Sequence, residues 1–107
     1  LKRDYCWEEL SLTKIRTKVL NKSNKTINGP RAKDYGPADK NHERIAVGFD
    51  VIAKAAIENE GRITKAHVTL MMDWVKTCRL CHTIDHEDSW VDKCGYSAIG
   101  AELSKTK

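Results

Sequence analysis

The chain has 107 residues, of which 40% are hydrophobic and 32% charged, and its formal net charge is +4. This balance excludes a disordered polar tail, and no apolar run approaches the roughly 18 residues of a membrane span. The basic residues are scattered among acids, which favours a solvated surface over a duplex-binding patch. The opening LKRDYCWEEL has no apolar stretch, so we expect no secretory signal and a reducing cytoplasm.

The first predicted helix covers about Tyr5 to Leu20 and ends in a long polar loop, NKSNKTINGP. Cys6 within it is expected to be a core residue. The dipeptide Gly36-Pro37 predicts the start of a second helix that runs to about Glu58. Its apolar stripe consists of Ile45, Phe49, Ile52, Ala53 and Ala56.

A third helix is predicted from about Lys65 to Cys81, with Thr64 as its N-cap. Apolar residues again recur at helical spacing, which predicts the face that this helix buries. The residues of that face are Val68, Met71, Met72, Val75 and Cys78.

A fourth helix is expected to begin with Asp88 as its cap and to continue to about Leu103. Gly95 and Gly100 on this helix suggest close packing against a neighbour. Because alternating strand patterns are nearly absent, the fold prediction is all-α. We expect one compact four-helix domain over residues 1–107, with a long loop between helices one and two.

Charged residues fall on the predicted apolar faces of helices three and four. Arg79 lies in the middle of the third helix's face and Lys76 lies on its edge, while Asp88 and Asp92 share the line of the fourth helix's stripe. A buried charge needs a partner or a ligand. The two helices are therefore predicted to meet at a charged corner, near His82 and His86 in their connection.

Two interpretations of this corner stay open. In the structural one, Arg79 pairs with Asp92 and His86 caps a helix. In the functional one, Asp88 and Asp92 hold Mg²⁺, Lys76 and Arg79 bind phosphate, and His86 acts as an acid or base. The carboxylate spacing suits the oxygen ligands that Mg²⁺ prefers.

Three cysteines close to two histidines also raise the alternative of a small zinc-binding module. Cys78 and Cys81 lie on continuous helix, without the glycine of a zinc knuckle. Cys78 and Cys94 occupy apolar positions, where a free cysteine acts as a small hydrophobic residue. Zinc is therefore the less favoured metal.

Three stretches, PRAKDYGPADKNHERIAVGF, VTLMMDWVKTCRLCH and HEDSWVDKCGYSAI, together resemble a family of short phage and prophage proteins of unknown function. The resemblance covers about residues 30–102. The matching positions are Arg31, Tyr35, Gly36, Asn41, Arg44, Lys76, Arg79, His82, His86, Asp88, Ser89, Asp92, Gly95 and Tyr96.

The resemblance implies a phage protein that works in the host cytoplasm, and the helical build with its acidic corner is similar to MazG-type nucleoside triphosphate pyrophosphohydrolases. A nucleotide-binding or nucleotide-hydrolysing protein is the first expectation, with Asn41, Tyr35 and His82 among the ligand-binding residues. The E-x-x-E element of those enzymes is absent, so whether the chain is an enzyme stays open.

A non-enzymatic phage accessory protein is the second expectation. Such a protein would bind and inhibit a host or defence component, for example of a CRISPR system. The small residues of the last helix and the small core also predict a homodimer. No membrane partner is expected.

Overall fold

The computed structural model describes the backbone of residues 2–106 and the side chains of residues 11–106. Within this range helices are the regular secondary structure and no strand occurs, which confirms the predicted all-α class, but there are five helices instead of four. They are α1 (Lys2–Ile27), α2 (Pro30–Tyr35), α3 (Ala38–Glu60), α4 (Lys65–His82) and α5 (Glu87–Leu103). The chain divides into two compact units, residues 1–33 and 34–107.

Helix α1 continues past the predicted end at Leu20, so the expected long loop is wrong. The polar segment that follows contains Asn, Ser, Lys and Thr, which reduce helix stability by only a few tenths of a kcal/mol each. The helix ends before Asn28 and Gly29, and Pro30 then takes the first position of α2, where its missing N–H is tolerated. The side chain of Cys6 lies outside the described residues.

Helix α3 is bounded by two glycines with left-handed backbone. Gly36 precedes it with φ 76°, and Gly61 follows it with φ 76° and donates its N–H to the carbonyl of Ile57. Both turns need a conformation that other residues rarely adopt. The predicted start at Gly36-Pro37 is thereby confirmed to within a residue.

Helix α4 begins with the predicted Thr64 N-cap, in a reciprocal capping box with His67. The Thr64 backbone N–H donates to His67 Nδ1 over 3.2 Å. In helix α5 the predicted Asp88 cap is wrong, because Asp88 already belongs to the first turn. His86 is the N-cap, as the structural interpretation of the corner predicted.

Helices α3, α4 and α5 form an open layer in residues 34–106, with α4 packed against both neighbours and no packing of α3 on α5. Small residues permit the two contacts. A Cβ added to Gly48 would lie 1.9 Å from Trp74 Nε1, and one added to Gly100 would lie 2.5 Å from Thr69 Oγ1. Gly95, by contrast, faces open space, so its predicted packing role is wrong.

The layer covers few apolar side chains. Among the described residues the buried apolar ones are Ala56, Cys78 and Leu80. Val68 and Met72, which were predicted to be buried on α4, are 48% and 39% exposed. The reason is that a layer one helix thick leaves both of its faces in water. No described helix is long and apolar enough to cross a membrane.

Candidate functional site

A lysine of α4 and an aspartate of α5 meet at the predicted corner. Lys76 Nζ lies 3.0 Å from Asp92 Oδ2, and their side chains are 18% and 47% exposed. Asp88, one helical turn before Asp92, is exposed. The helix-wheel expectation that both aspartates lie on a covered stripe is therefore wrong, because the face of α5 that packs on α4 is centred on Ser89 and Lys93.

A second lysine–aspartate pair links the same two helices in the opposite direction. Lys93 Nζ on α5 lies 3.0 Å from Asp73 Oδ2 on α4 and also donates to the hydroxyl of Thr77. The side chains of Lys93 and Asp73 are 22% and 29% exposed. The α4–α5 contact is thus partly polar, and Lys76–Asp92 is one of its two ion pairs.

Arg79 does not pair with Asp92. Its guanidinium donates to Asp34 Oδ2 over 2.9 Å and stacks over the ring of Tyr35, with 4.6 Å between Cζ and the ring centroid. The side chain is 16% exposed, and its Nε is buried without a hydrogen-bond partner. We call Asp34, Tyr35 and Arg79 the arginine clamp.

The segment between α2 and α3 is also held to the end of α4. Thr83 donates its hydroxyl to the carbonyl of Asp34 over 2.9 Å. A Cβ on Gly36 would lie 2.8 Å from the imidazole of His82, so this contact requires glycine. The sequence patterns did not predict these roles of Asp34 and Thr83, although Asp34 directly precedes Tyr35, one of the positions that match the phage family.

The side chain of His86 caps the N-terminus of α5. Its Nδ1 accepts the backbone N–H of Ser89 over 3.3 Å and lies 2.9 Å from the Ser89 hydroxyl, which is completely buried. An imidazole that accepts through Nδ1 carries its proton on Nε2 when it is neutral. The neutral ring can therefore donate a hydrogen bond from Nε2 but cannot accept one there.

Asn41 is the buried polar residue of α3. It is 5% exposed, and its Oδ1 has no hydrogen-bond partner. Two glycines on either side of Asn41 in the chain contact α4. Gly36, just before α3, lies against His82, and Gly48, within α3, lies against Trp74. Asn41 therefore lies on the side of α3 that faces α4, towards the end of α4 that contains His82.

The cysteines do not form a cluster in the described part of the chain. Cys78 is buried, and the loss of solvation raises its pKa, an effect that Cys81 reinforces and Arg44 opposes. Cys81 and Cys94 are exposed. Among residues 11–106 no three His, Cys, Asp or Glu side chains come together as a metal-ion cluster.

A family model described as a domain of unknown function, DUF6378, matches residues 18–104. The chain belongs to this family. The DUF6378 domain is 37% identical over 81 residues to the Gene 55 protein of Mycobacterium phage L5, a match that covers 76% of this chain and 49% of that protein. The chain thus spans about half the length of this curated relative, and no solved structure matches it.

These comparisons agree with the expected phage family of unknown function. They add residues 18–29 to the region expected from the sequence motifs, so the family match of the DUF6378 domain takes in the second part of α1. Similarity to MazG-type enzymes is not among the findings.

Proposed function

We propose that this DUF6378 domain is a phage protein that binds a nucleotide at the end of α4 and hydrolyses its phosphate chain with Mg²⁺. The observation that supports this most directly is the ion pair of Lys76 and Asp92, 3.0 Å apart and contributed by different helices. A phosphate with its metal ion can insert between such groups, since each half of the ion pair then finds an opposite charge.

Asp88 and Asp92 would hold the metal. They supply two carboxylates one helical turn apart on the same side of α5, and Asp88 is exposed. Mg²⁺ is commonly held by one or two carboxylates together with substrate phosphates and water, so this donor set is the minimum that fits. When bound, the ion neutralises phosphate charge and polarises the oxygens.

Lys76 and Arg79 would hold the phosphate. Most of the Lys76 side chain is buried, which limits its motion and leaves its ammonium near Asp92. Arg79 is fixed by the arginine clamp, where its guanidinium would supply positive charge beside the phosphate. Tyr35, predicted as a ligand-binding residue, already has the guanidinium over one face of its ring.

The remaining predicted residues have supporting roles in this proposal. Asn41 carries an unpaired buried amide oxygen that can accept a hydrogen bond from a nucleobase or sugar. His82 packs on Gly36 beside the clamp. His86, predicted as an acid or base, would donate a hydrogen bond from Nε2 to a phosphate oxygen, because its Nδ1 is occupied by the cap of α5.

The two lysine–aspartate pairs provide a matched test. Asp92→Asn and Asp73→Asn each remove one charge from the α4–α5 contact, and both should lower the melting temperature similarly. We expect Asp92→Asn to weaken Mg²⁺-dependent nucleotide binding at least tenfold, whereas Asp73→Asn should leave it within about twofold. Isothermal calorimetry against a nucleoside and deoxynucleoside triphosphate panel, with and without Mg²⁺, measures this difference.

The proposal fails if the folded wild-type domain binds no nucleotide of the panel under either condition. It also fails if both variants lose affinity equally, because the effect would then reflect the helix contact and not the corner. Binding without phosphate release would keep the ligand assignment but remove the hydrolysis.

A protein-binding role is the second candidate, and the exposed apolar residues of the layer favour it. Large apolar side chains between 47% and 63% exposed occur on all three helices: Val47, Val51, Ile57, Val68, Leu70, Trp90, Val91 and Ile99. Where exposed apolar side chains adjoin in one patch, they mark a surface that another protein covers, so this candidate requires that these residues share a face of the layer. A homodimer or a complex with a host protein would cover it.

Analytical ultracentrifugation separates these possibilities. If the apolar surface is a homodimer interface, the wild-type domain sediments as a dimer and Val68→Glu as a monomer. If a host protein is the partner, the purified domain is monomeric, and a tagged wild-type domain retains a specific host protein that its Val68→Glu variant does not. A monomer that retains no protein contradicts this candidate.

A further inference from the structure

The basic residues of the chain are strongly segregated between its two units. Residues 1–33 contain nine Lys or Arg against three Asp or Glu, whereas residues 34–107 contain ten against twelve. Between residues 11 and 33 there are seven basic residues and no acidic one. The scattered distribution expected from the whole composition therefore does not hold for this segment.

The helix turns this composition into a continuous stripe of charge. Lys14, Lys18, Lys22 and Lys25 follow one another at spacings of four, four and three, which places them within an arc of about 80° on α1. Their stripe is about 16 Å long at 1.5 Å per residue. All side chains from Ser11 to Lys25 are exposed, and no ion pair among the side chains of residues 11–106 involves these four lysines.

Like charges four residues apart destabilise a helix by a few tenths of a kcal/mol per pair. A stripe of lysines with no acidic partner among the described side chains is therefore unfavourable for α1 by itself. An extended polyanion removes this repulsion, because each ammonium then lies near an opposite charge.

We propose that the lysine stripe of α1 binds the phosphate backbone of duplex DNA, independently of any nucleotide site on the layer. The major groove of DNA is wide enough for an α-helix, and the duplex carries one negative charge per about 1.7 Å of its axis. A straight row of lysines about 16 Å long meets several of these phosphates.

The residues of α1 beside the lysines are polar, which suits a hydrated DNA groove. Thr13, Thr17, Asn21, Asn24 and Asn28 follow one another at helical spacing beside the stripe. A helix that lies in a membrane surface has instead a broad apolar face with aromatic residues. Exposed apolar side chains do occur on the side of α1 away from the lysines: Leu12, Ile15, Val19, Leu20 and Ile27. No aromatic residue accompanies them between residues 11 and 33, and the polar row lies directly beside the lysines, so the proposal is DNA, and binding to a lipid surface is an outcome of the test.

Fluorescence anisotropy with the full chain and a labelled 20-base-pair DNA tests the proposal. Four phosphate contacts predict a slope of about −3.6 in log affinity against log salt, or about 150-fold weaker binding at 200 mM than at 50 mM salt. The variant Lys14→Gln, Lys18→Gln, Lys22→Gln and Lys25→Gln should bind at least tenfold more weakly at 50 mM salt, with a slope near zero.

A control variant removes the same charge from the second unit through Lys40→Gln, Lys54→Gln, Arg62→Gln and Lys105→Gln, and it should retain affinity within about threefold. Replacing the four α1 lysines by arginine should also preserve binding, and circular dichroism verifies that each variant is helical. The proposal is overturned if both glutamine variants lose affinity equally, or if the wild type binds no DNA at 50 mM salt. Binding to anionic phospholipid vesicles without binding to DNA would overturn it as well.

Discussion

Single residues set how closely the helices of the layer approach. Gly48 leaves room for the indole of Trp74, whose Nε1 donates to the Arg44 carbonyl over 3.0 Å. Gly95 belongs to an exposed part of α5 and has no neighbour within 4 Å of an added Cβ. Both glycines lie inside a helix, but Gly48 is needed for helix packing and Gly95 is not.

This contrast predicts opposite effects of the same substitution. Gly48→Ala should lower the free energy of unfolding by about 2–3 kcal/mol, because the methyl group displaces Trp74 and breaks its hydrogen bond. Gly95→Ala should raise the free energy of unfolding by about 0.5–1 kcal/mol, because alanine restricts the unfolded chain and favours helix. Urea unfolding followed by circular dichroism measures both. Equal effects of the two changes would show that α3 and α4 are not packed through Gly48.

The thiol of Cys78 predicts a dependence of stability on pH. Burial raises its pKa above the ordinary value of 9.0, so the folded protein keeps this proton to higher pH than the unfolded chain. The group has no effect on stability well below pH 9, and stability falls as the pH rises through the unfolded value, by up to about 1.4 kcal/mol per pH unit. The Cys78→Ala variant lacks this contribution.

Urea unfolding at pH 7.5 and pH 10 tests the effect. The wild type should lose more stability between these values than Cys78→Ala does. The comparison cancels the lysine and tyrosine titrations that both proteins share. Identical losses would mean that the thiol is accessible to water in the folded state.

At the scale of elements, the helices begin and end at specific polar contacts. Helix α4 starts with the Thr64–His67 capping box, and α5 starts with an imidazole N-cap at His86. Histidine is not one of the preferred N-cap residues, which are Ser, Thr, Asp and Asn. The turn before α5 is further fixed by Trp90, whose Nε1 donates to the Ile84 carbonyl over 2.9 Å.

We expect His86→Ala to lower the free energy of unfolding by about 1–2 kcal/mol, since it removes the cap and leaves the buried Ser89 hydroxyl without this partner. His86→Asp should retain most of the stability, because a carboxylate also accepts the Ser89 N–H and interacts favourably with the helix dipole. Thermal unfolding near pH 7 compares the three proteins. If His86→Asp is as unstable as His86→Ala, the imidazole acts by packing and not as a cap.

At the scale of the whole molecule, the two units differ in how they are stabilised. Within residues 34–107, the helix layer contains all the described buried side chains of the apolar core and the α4–α5 ion pairs. In residues 11–33 every side chain is exposed except the half-buried Thr26. An isolated helix of this kind is marginal in water, because most helix stability in proteins comes from packing.

This difference predicts the behaviour of fragments. A fragment of residues 34–107 should unfold cooperatively within a few degrees of the full chain, whereas a peptide of residues 1–33 should be mostly unfolded at 25 °C. Circular dichroism melts measure both. A large loss of stability in the longer fragment would contradict the division, and the full chain with Leu12→Ala provides a control for any packing of α1.

The sequence determined the elements whose signals are local. Helical periodicity excluded strands, Thr64 and Gly36-Pro37 marked helix starts, and the charged residues near His82 and His86 identified the end of α4. The same local signals placed Lys76 and Asp92 on neighbouring helices, and their 3.0 Å ion pair agrees with that prediction. The helix boundaries depend on residues within a few positions of each other, and the Lys76–Asp92 pair follows from the short connection between α4 and α5, so the chain itself carries the information.

Only the tertiary structure decided which faces are covered and which charges meet. Arg79 pairs with Asp34, 45 positions away in the chain, and not with Asp92. Val68 and Met72 are exposed although their spacing predicts burial, because α3 and α5 pack on the two sides of α4 and leave its remaining faces in water. Periodicity shows that a helix has an apolar face, but what covers that face depends on the arrangement of the other helices.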